Sequence, residues 1–260
     1  MDCDLVLAYS SGAERSKEGE VVLRMHNVTK IYRTDVIETH ALREVSLEVS
    51  TGEFVAIMGP SGSGKTTFLN VAGLLEPFDA GTYELDGVDV SRLSDRTLAR
   101  LRNEKIGFIF QSFNLIPDLN VYDNVDVPLR YRRMPATQRH QRITTALELV
   151  GITSRMKHIP AQLSGGQQQR VAIARAIAGE PSFLLADEPT GNLDSTTAGQ
   201  VMDLLERVNK MGTTIIMVTH DPELARRAHR SVQLIDGQLS DTEIHRPRVV
   251  ASPDLGAATA

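Results

Sequence analysis

The sequence predicts an α/β fold with a mostly parallel sheet covered on both faces, an antiparallel β unit beside it and a helical lobe inserted between sheet strands. Three observations carry that reading. Short apolar runs that read as strands recur at residues 54–58, 106–110, 183–186, 214–218 and 232–235, and several are continuous, as expected of strands buried on both faces. Helical stretches such as residues 65–74 and 198–211 stand between runs, and parallel pairing needs such crossovers. Residues 21–25 and 45–49 read as further strands, and the alternation of VSLEV marks a sheet with one wet face. From about residue 128 to 177 the spacing turns helical, through Ile143, Leu147 and Val150 and then Val171, Ala174 and Ile177. With its approach segment, the inserted lobe is placed at about residues 112–178.

A chain of 260 residues, 41% hydrophobic, is long enough for one large domain with an attached lobe. That domain is expected over residues 21–240, with flexible extensions at residues 1–20 and 241–260; Met25 leaves the natural start site open. No internal repeat is visible. The net charge of −5 gives no basic surplus for broad electrostatic attraction to nucleic acid or an anionic membrane, and leaves room only for a local basic patch. The single Cys3 allows no internal disulfide, the usage of a reducing compartment. No signal-peptide core opens the chain, and no apolar run approaches the roughly 20 residues that span a bilayer, so a membrane role must pass through a partner.

Residues 59–67, GPSGSGKTT, match the phosphate-loop pattern and stand between the strand FVAIM and a helix. A backbone that wraps a polyphosphate must turn its N–H groups inward, which Gly59, Gly62 and Gly64 permit, with Pro60, Ser61 and Ser63 completing the turn. Lys65 offers a point charge to the β- and γ-phosphates, the helix end adds its dipole, Thr66 can ligate Mg²⁺, and Thr67 closes the motif. Residues 183–190, FLLADEPT, run an apolar strand into two carboxylates. Asp187 suits the metal, held through water, and Glu188 suits a general base; the bland alternative is that one acid caps a helix beginning near Ser195.

Residues 163–170, LSGGQQQR, resemble the signature of ABC-type ATPases. Their physical sense is a second anion site, with Leu163 leading in and Ser164, Gly165, Gly166 and Gln167 opening a helix over residues 167–178. The resemblance implies a P-loop NTPase core that hydrolyses ATP with Mg²⁺, and a dimer in which the signature of one copy faces the phosphate loop of the other. It extends to Gln111, which links metal and attacking water to the lobe; to residues 192–194, including Asp194, which reach across the dimer; to His220, which contacts the γ-phosphate; and to Tyr32, which stacks on adenine. Lys65, Gln111, Glu188 and His220 would form the catalytic set, and Thr66, Gln111 and Asp187 the metal set. A P-loop kinase or GTPase would lack LSGGQ, and no guanine-reading Asn-Lys-x-Asp occurs.

The stretch GFIFQSFNLIPDLNVYDNVDVPL, with ADEPTGNLD, is similar to the macrolide-exporter and lipoprotein-release branch, to which a cell-division relative is close. The resemblance implies a cytoplasmic homodimer on the inner membrane face, bound to a separate permease and engaged in export or in mechanical work outside the membrane. A non-transport ABC ATPase in cell division or soluble assembly stays as the alternative. Phe113, Leu115, Ile116 and Pro117 are apolar beyond the needs of a solvent loop and are expected either to receive a permease helix or to pack the lobe onto the core.

Overall fold

A computed structural model describes residues 20–34 and 37–244. Cys3 and nearly all of both expected extensions lie outside them. Six strands form one sheet in the order β10-β9-β3-β8-β7-β6: β3 (Phe54–Met58), β6 (Ile106–Ile109), β7 (Phe183–Asp187), β8 (Thr214–Thr219), β9 (Arg230–Ile235) and β10 (Gln238–Ile244). All neighbours are parallel except β10, which turns back on β9. The remaining strands, β1 (Val21–Arg33), β2 (Glu38–Ser50), β4 (Ala80–Leu85) and β5 (Val88–Asp89), make an antiparallel sheet in the order β2-β1-β4-β5. β10 continues four residues past the boundary expected at residue 240.

Burial explains the two sequence textures. In β2, Val45, Leu47 and Val49 are buried while Ser46 and Glu48 are exposed, so the alternation of VSLEV is that of a sheet wetted on one face. In β3, Phe54 and Ala56 enter one core while Val55 and Ile57 enter another, and β7 and β8 divide their side chains in the same way. A strand covered on both faces has no polar position to alternate, hence FVAIM. One core lies between the two sheets; the other lies between the parallel sheet and the helical segment.

The helices are α1 (Lys65–Ala72), α2 (Asp95–Lys105), α3 (Val121–Tyr131), α4 (Ala136–Leu149), α5 (Gly165–Ile177), α6 (Ser195–Lys210) and the short α7 (Pro222–Ala225). The lobe's helices begin at Val121, earlier than the spacing suggested, because the Asn120 side chain caps α3 by accepting the Asp123 N–H at 2.8 Å; Pro128 is interior to that helix. α2 was not foreseen: it fully buries no side chain and packs only Leu98 and Leu101, partly buried, onto the core, so its apolar stripe is too short to read. α5 starts two residues before the expected residue 167.

The segment leading into the lobe is fixed by one buried side chain. Asn124 accepts the Ile116 N–H at 2.8 Å, and its amide nitrogen reaches the carbonyls of Ile116, Leu119 and Asn120 at 2.9–3.1 Å. Replacing Asn124 with Ala strands these groups at a site closed to water, at a cost of about 2 kcal/mol and a Tm lower by about 4–8 °C. Thermal unfolding of Asn124→Ala followed by circular dichroism checks this.

Candidate active site

Because β3, β8, β7 and β6 run parallel as neighbours, their carboxyl ends share one edge of the sheet, and such an edge is where α/β folds bind ligands. The glycine-rich loop leaves β3, Asp187 ends β7, His220 follows β8 and Gln111 stands two residues beyond β6. All face a cavity of about 880 Å³ that also takes in Tyr32, Lys65, Thr66, Thr67 and Glu188.

Residue 64 sets the loop's geometry. Gly64 has φ of 101°, a left-handed conformation, and as N-cap it brings no side chain to α1. The first intrahelical bond joins the Phe68 N–H to the Gly64 carbonyl at 2.8 Å, so the amides of the first turn are left for something outside the helix. Gly62 also has positive φ. Gly59 does not, and is needed for a different reason: a Cβ there would lie 2.6 Å from Ser63 Oγ and closer still to the Leu234 carbonyl oxygen. Ser61 and Gly62 line the cavity, whereas Ser63 is buried within the loop. Gly59, Pro60 and Ser63 are not in the cavity wall. The Lys65 ammonium donates to the carbonyls of Gly59 and Pro60 at 2.7 and 2.6 Å, directly beneath the loop.

Glu188 has φ of 42°, an uncommon value for a carboxylate residue, with its N–H held by the Val218 carbonyl at 3.0 Å. Its carboxylate lies 2.8 Å from His220 Nδ1, so acid and imidazole are one unit. Asp187 is half-buried, and burial pushes its carboxyl up, with the Glu188 charge adding to the rise and Lys65 opposing it. A carboxylate raised in this way favours a nearby cation. Neither acid caps α6; that role falls to Asp194, which accepts the Thr197 N–H at 3.0 Å, a bond that lowers its pKa. Gln111 donates to Asn192 Oδ1 at 3.3 Å, and the Asn192 amide returns a bond to the Gln111 carbonyl at 3.0 Å.

The Tyr32 hydroxyl donates to Glu76, and burial followed by that acceptor raises its pKa. Lys30 stands 5.3 Å from the ring centroid, leaving much of the ring exposed at the cavity rim. Sequence reasoning missed Thr39, His40 and Arg43 of β2 and the Asp236–Gly237 turn, which also line the cavity. No motif marks them; the turn arrives through topology, with Gly237 N–H bonded to the Ser63 carbonyl at 3.0 Å and the Arg43 N–H to the Gly237 carbonyl at 2.8 Å.

Leu163, Ser164, Gly165, Gly166, Gln167 and Asp194 are absent from this cavity wall. Leu163 is buried in the lobe-side core, and Ser164 and Gln167 form a reciprocal cap at the start of α5, with N–H to oxygen distances of 3.4 and 3.0 Å. Ser164 itself is exposed. The uncapped start of α1 and the capped start of α5 are therefore separate features of one chain.

Residues 42–191 match the family model described as ABC transporter. The protein named uncharacterized ABC transporter ATP-binding protein YvrO from Bacillus subtilis is 47% identical over 218 residues, which is 84% of this chain and 95% of that protein. The macrolide export ATP-binding/permease protein MacB of Brucella melitensis is 44% identical over 239 residues, 90% of this chain but 37% of its own length. A solved dimeric ATP-binding cassette, MJ0796 in a post-hydrolysis state bound to ADP and Pi, matches with a TM-score of 0.79 at 43% identity, over 86% of this chain and 99% of that one. The loop, the acid pair and the signature stand within or beside this matched core, and the chain belongs to the ABC transporter family as an ATP-hydrolysing ATP-binding protein.

Proposed function

We propose that this ATPase works as a head-to-tail pair of identical chains and drives a separate membrane permease, for export or for mechanical work on lipoproteins or other extracytoplasmic substrates. The observation that carries the pairing is the division of the site: the phosphate loop, Gln111, Asp187, Glu188 and His220 share one cavity while residues 163–167 lie outside it. The dimeric state of the MJ0796 cassette supports it. The MacB relatives are named ATP-binding/permease proteins, and this chain spans just over a third of their length. Relatives such as YvrO, named only for ATP binding, are matched over nearly all of theirs. Among the described residues no helix is long and apolar enough to cross a membrane.

In this reading the amides of α1 and the Lys65 ammonium hold the β- and γ-phosphates, and Tyr32 stacks on adenine. Thr66 and Asp187, with Gln111 nearby, would hold Mg²⁺. The donor set fits: the Thr66 hydroxyl and the Asp187 carboxylate offer hard oxygen ligands in one cavity wall, and Mg²⁺ with nucleotide takes few protein ligands. The ion would neutralise charge on the phosphate oxygens. Glu188, fixed by His220, accepts a proton from the attacking water, while Ser164, Gly165 and Gly166 of a second copy close over the γ-phosphate and Asp194 stands at the seam.

Two outcomes test the reading. Glu188→Gln keeps the hydrogen bond to His220 but removes the base, so kcat falls by about 100-fold or more and an ATP-bound dimer accumulates, seen by size-exclusion chromatography with ATP. Hydrolysis at the wild-type rate removes Glu188 from the role of base. Ile116, which is 41% exposed beside the partly buried Leu115, is a reachable member of the apolar segment, as is the exposed Pro117. Ile116→Asp abolishes stimulation of ATPase activity by the co-purified permease and leaves ATP binding within about twofold; undiminished stimulation removes this face from the contact.

A further inference from the structure

The residue after next beyond Gln111 is under conformational tension. Phe113 and Asn114 have φ of 61° and 48°, so two consecutive side-chain-bearing residues occupy the left-handed region, which is unusual for Asn and more so for an aromatic residue. Local bonds from the Phe113 N–H to the Phe110 carbonyl at 3.2 Å and from the Asn114 N–H to the Ser112 carbonyl at 2.6 Å are joined by a long-range one. The Arg175 guanidinium, from the last turn of α5, donates to both of their carbonyls, at 2.9 Å for Phe113 and 2.5 Å for Asn114. Arg175 is partly buried, and burial lowers its pKa. No carboxylate pairs with it among the described residues; its partners are these two neutral carbonyls. A partly buried cation without a counter-ion carries a desolvation cost, and the bonds it makes are to the carbonyls of this turn.

That turn connects two parts of the site. On one side is Gln111, bonded reciprocally to Asn192. On the other, the Phe113 ring lies against the opening turn of α5, where a Cβ on Gly165 would be 3.6 Å from Cζ. α5 thus carries the signature at its first turn and the clamp at its last, about 16 Å apart on one rigid element. We propose that Arg175 is a positioning residue: by holding the Phe113–Asn114 turn it keeps Gln111 in register with the signature end of α5, so that occupation of the cavity and presentation of Ser164 are coupled. This rests on the reading of Gln111 and Ser164 given above. Arg175 touches no substrate; its effect falls on the closed, hydrolysing dimer and not on the first binding of nucleotide to one chain.

The test uses the full-length protein with Arg175→Met, which keeps the apolar stem, and Arg175→Lys, which keeps the charge but not the two-pronged geometry. Nucleotide Kd for the single chain stays within threefold in both. The kcat falls at least tenfold for Met and by less for Lys. ATP-driven dimerisation, measured on a Glu188→Gln background, weakens by a similar factor. Adding Asn114→Gly to Arg175→Met recovers at least a third of the lost kcat, because glycine holds a left-handed conformation without a clamp. The proposal is overturned if Arg175→Met keeps kcat within twofold of wild type. It is equally overturned if kcat, nucleotide affinity and Tm fall together with no recovery by Asn114→Gly, which makes Arg175 a general stabilising residue. Gln111→Ala separates the two layers: an unchanged kcat there removes Gln111 from the machinery, while a loss in Gln111→Ala with none in Arg175→Met removes only the clamp.

Discussion

A triphosphate brings more negative charge than any one side chain can meet, and the end of α1 answers with backbone N–H groups and a helix dipole. For those donors to remain available, the helix must begin without a capping side chain, and the left-handed Gly64 provides this. The surrounding structure serves that loop. β3 is pinned between two parallel neighbours and buried on both faces, so the chain leaves it at a fixed point and angle. The Asp236–Gly237 turn and β2 brace the loop from the side through Ser63, Gly237 and Arg43. Ser63, buried beneath the loop, leaves no space for a side chain on Gly59.

The same sheet edge brings acid and base to the loop. Asp187 at the end of a buried strand carries a raised pKa because its carboxyl is partly out of water, and a cation held there would reverse that penalty. Glu188, one residue later and turned by its positive φ, points to His220 instead. Adjacent carboxylates thus face different tasks because the backbone, and not the side chains, separates them. α6 needs neither of them, since Asp194 supplies its cap.

Legibility in the sequence followed how local each requirement is. The phosphate-loop pattern and the acid pair are each written within a few consecutive residues, so spacing made them candidates, while the signature was legible through its resemblance to a family motif. The strands of the parallel sheet were readable because burial on both faces removes every polar position. α2 was not readable, since a helix that packs only Leu98 and Leu101, partly buried, leaves too short a period, and Tyr83 in β4, fully buried with its hydroxyl on the Ala72 carbonyl, sits in a stretch too short to show one. Arg175 and the bond between Asn192 and Gln111 were invisible for another reason: the partners lie more than sixty positions apart, and only the fold brings them together. Thr39, His40, Arg43 and Asp236 joined the cavity wall in the same way.

The central claim is that each chain carries two half-sites serving different nucleotides. Complementation tests it most directly. Lys65→Ala disables the phosphate loop, and Ser164→Asp preserves the cap of α5, since Asp is as good an N-cap as Ser, while placing a negative charge where phosphate should lie. Each variant alone is expected to be inactive. Mixed after separate purification, they form pairs in which the intact loop of one chain meets the intact signature of the other, and ATPase activity returns. A mixture that stays at the level of its two components would mean that loop and signature of the same chain serve one nucleotide, and the head-to-tail account would be wrong.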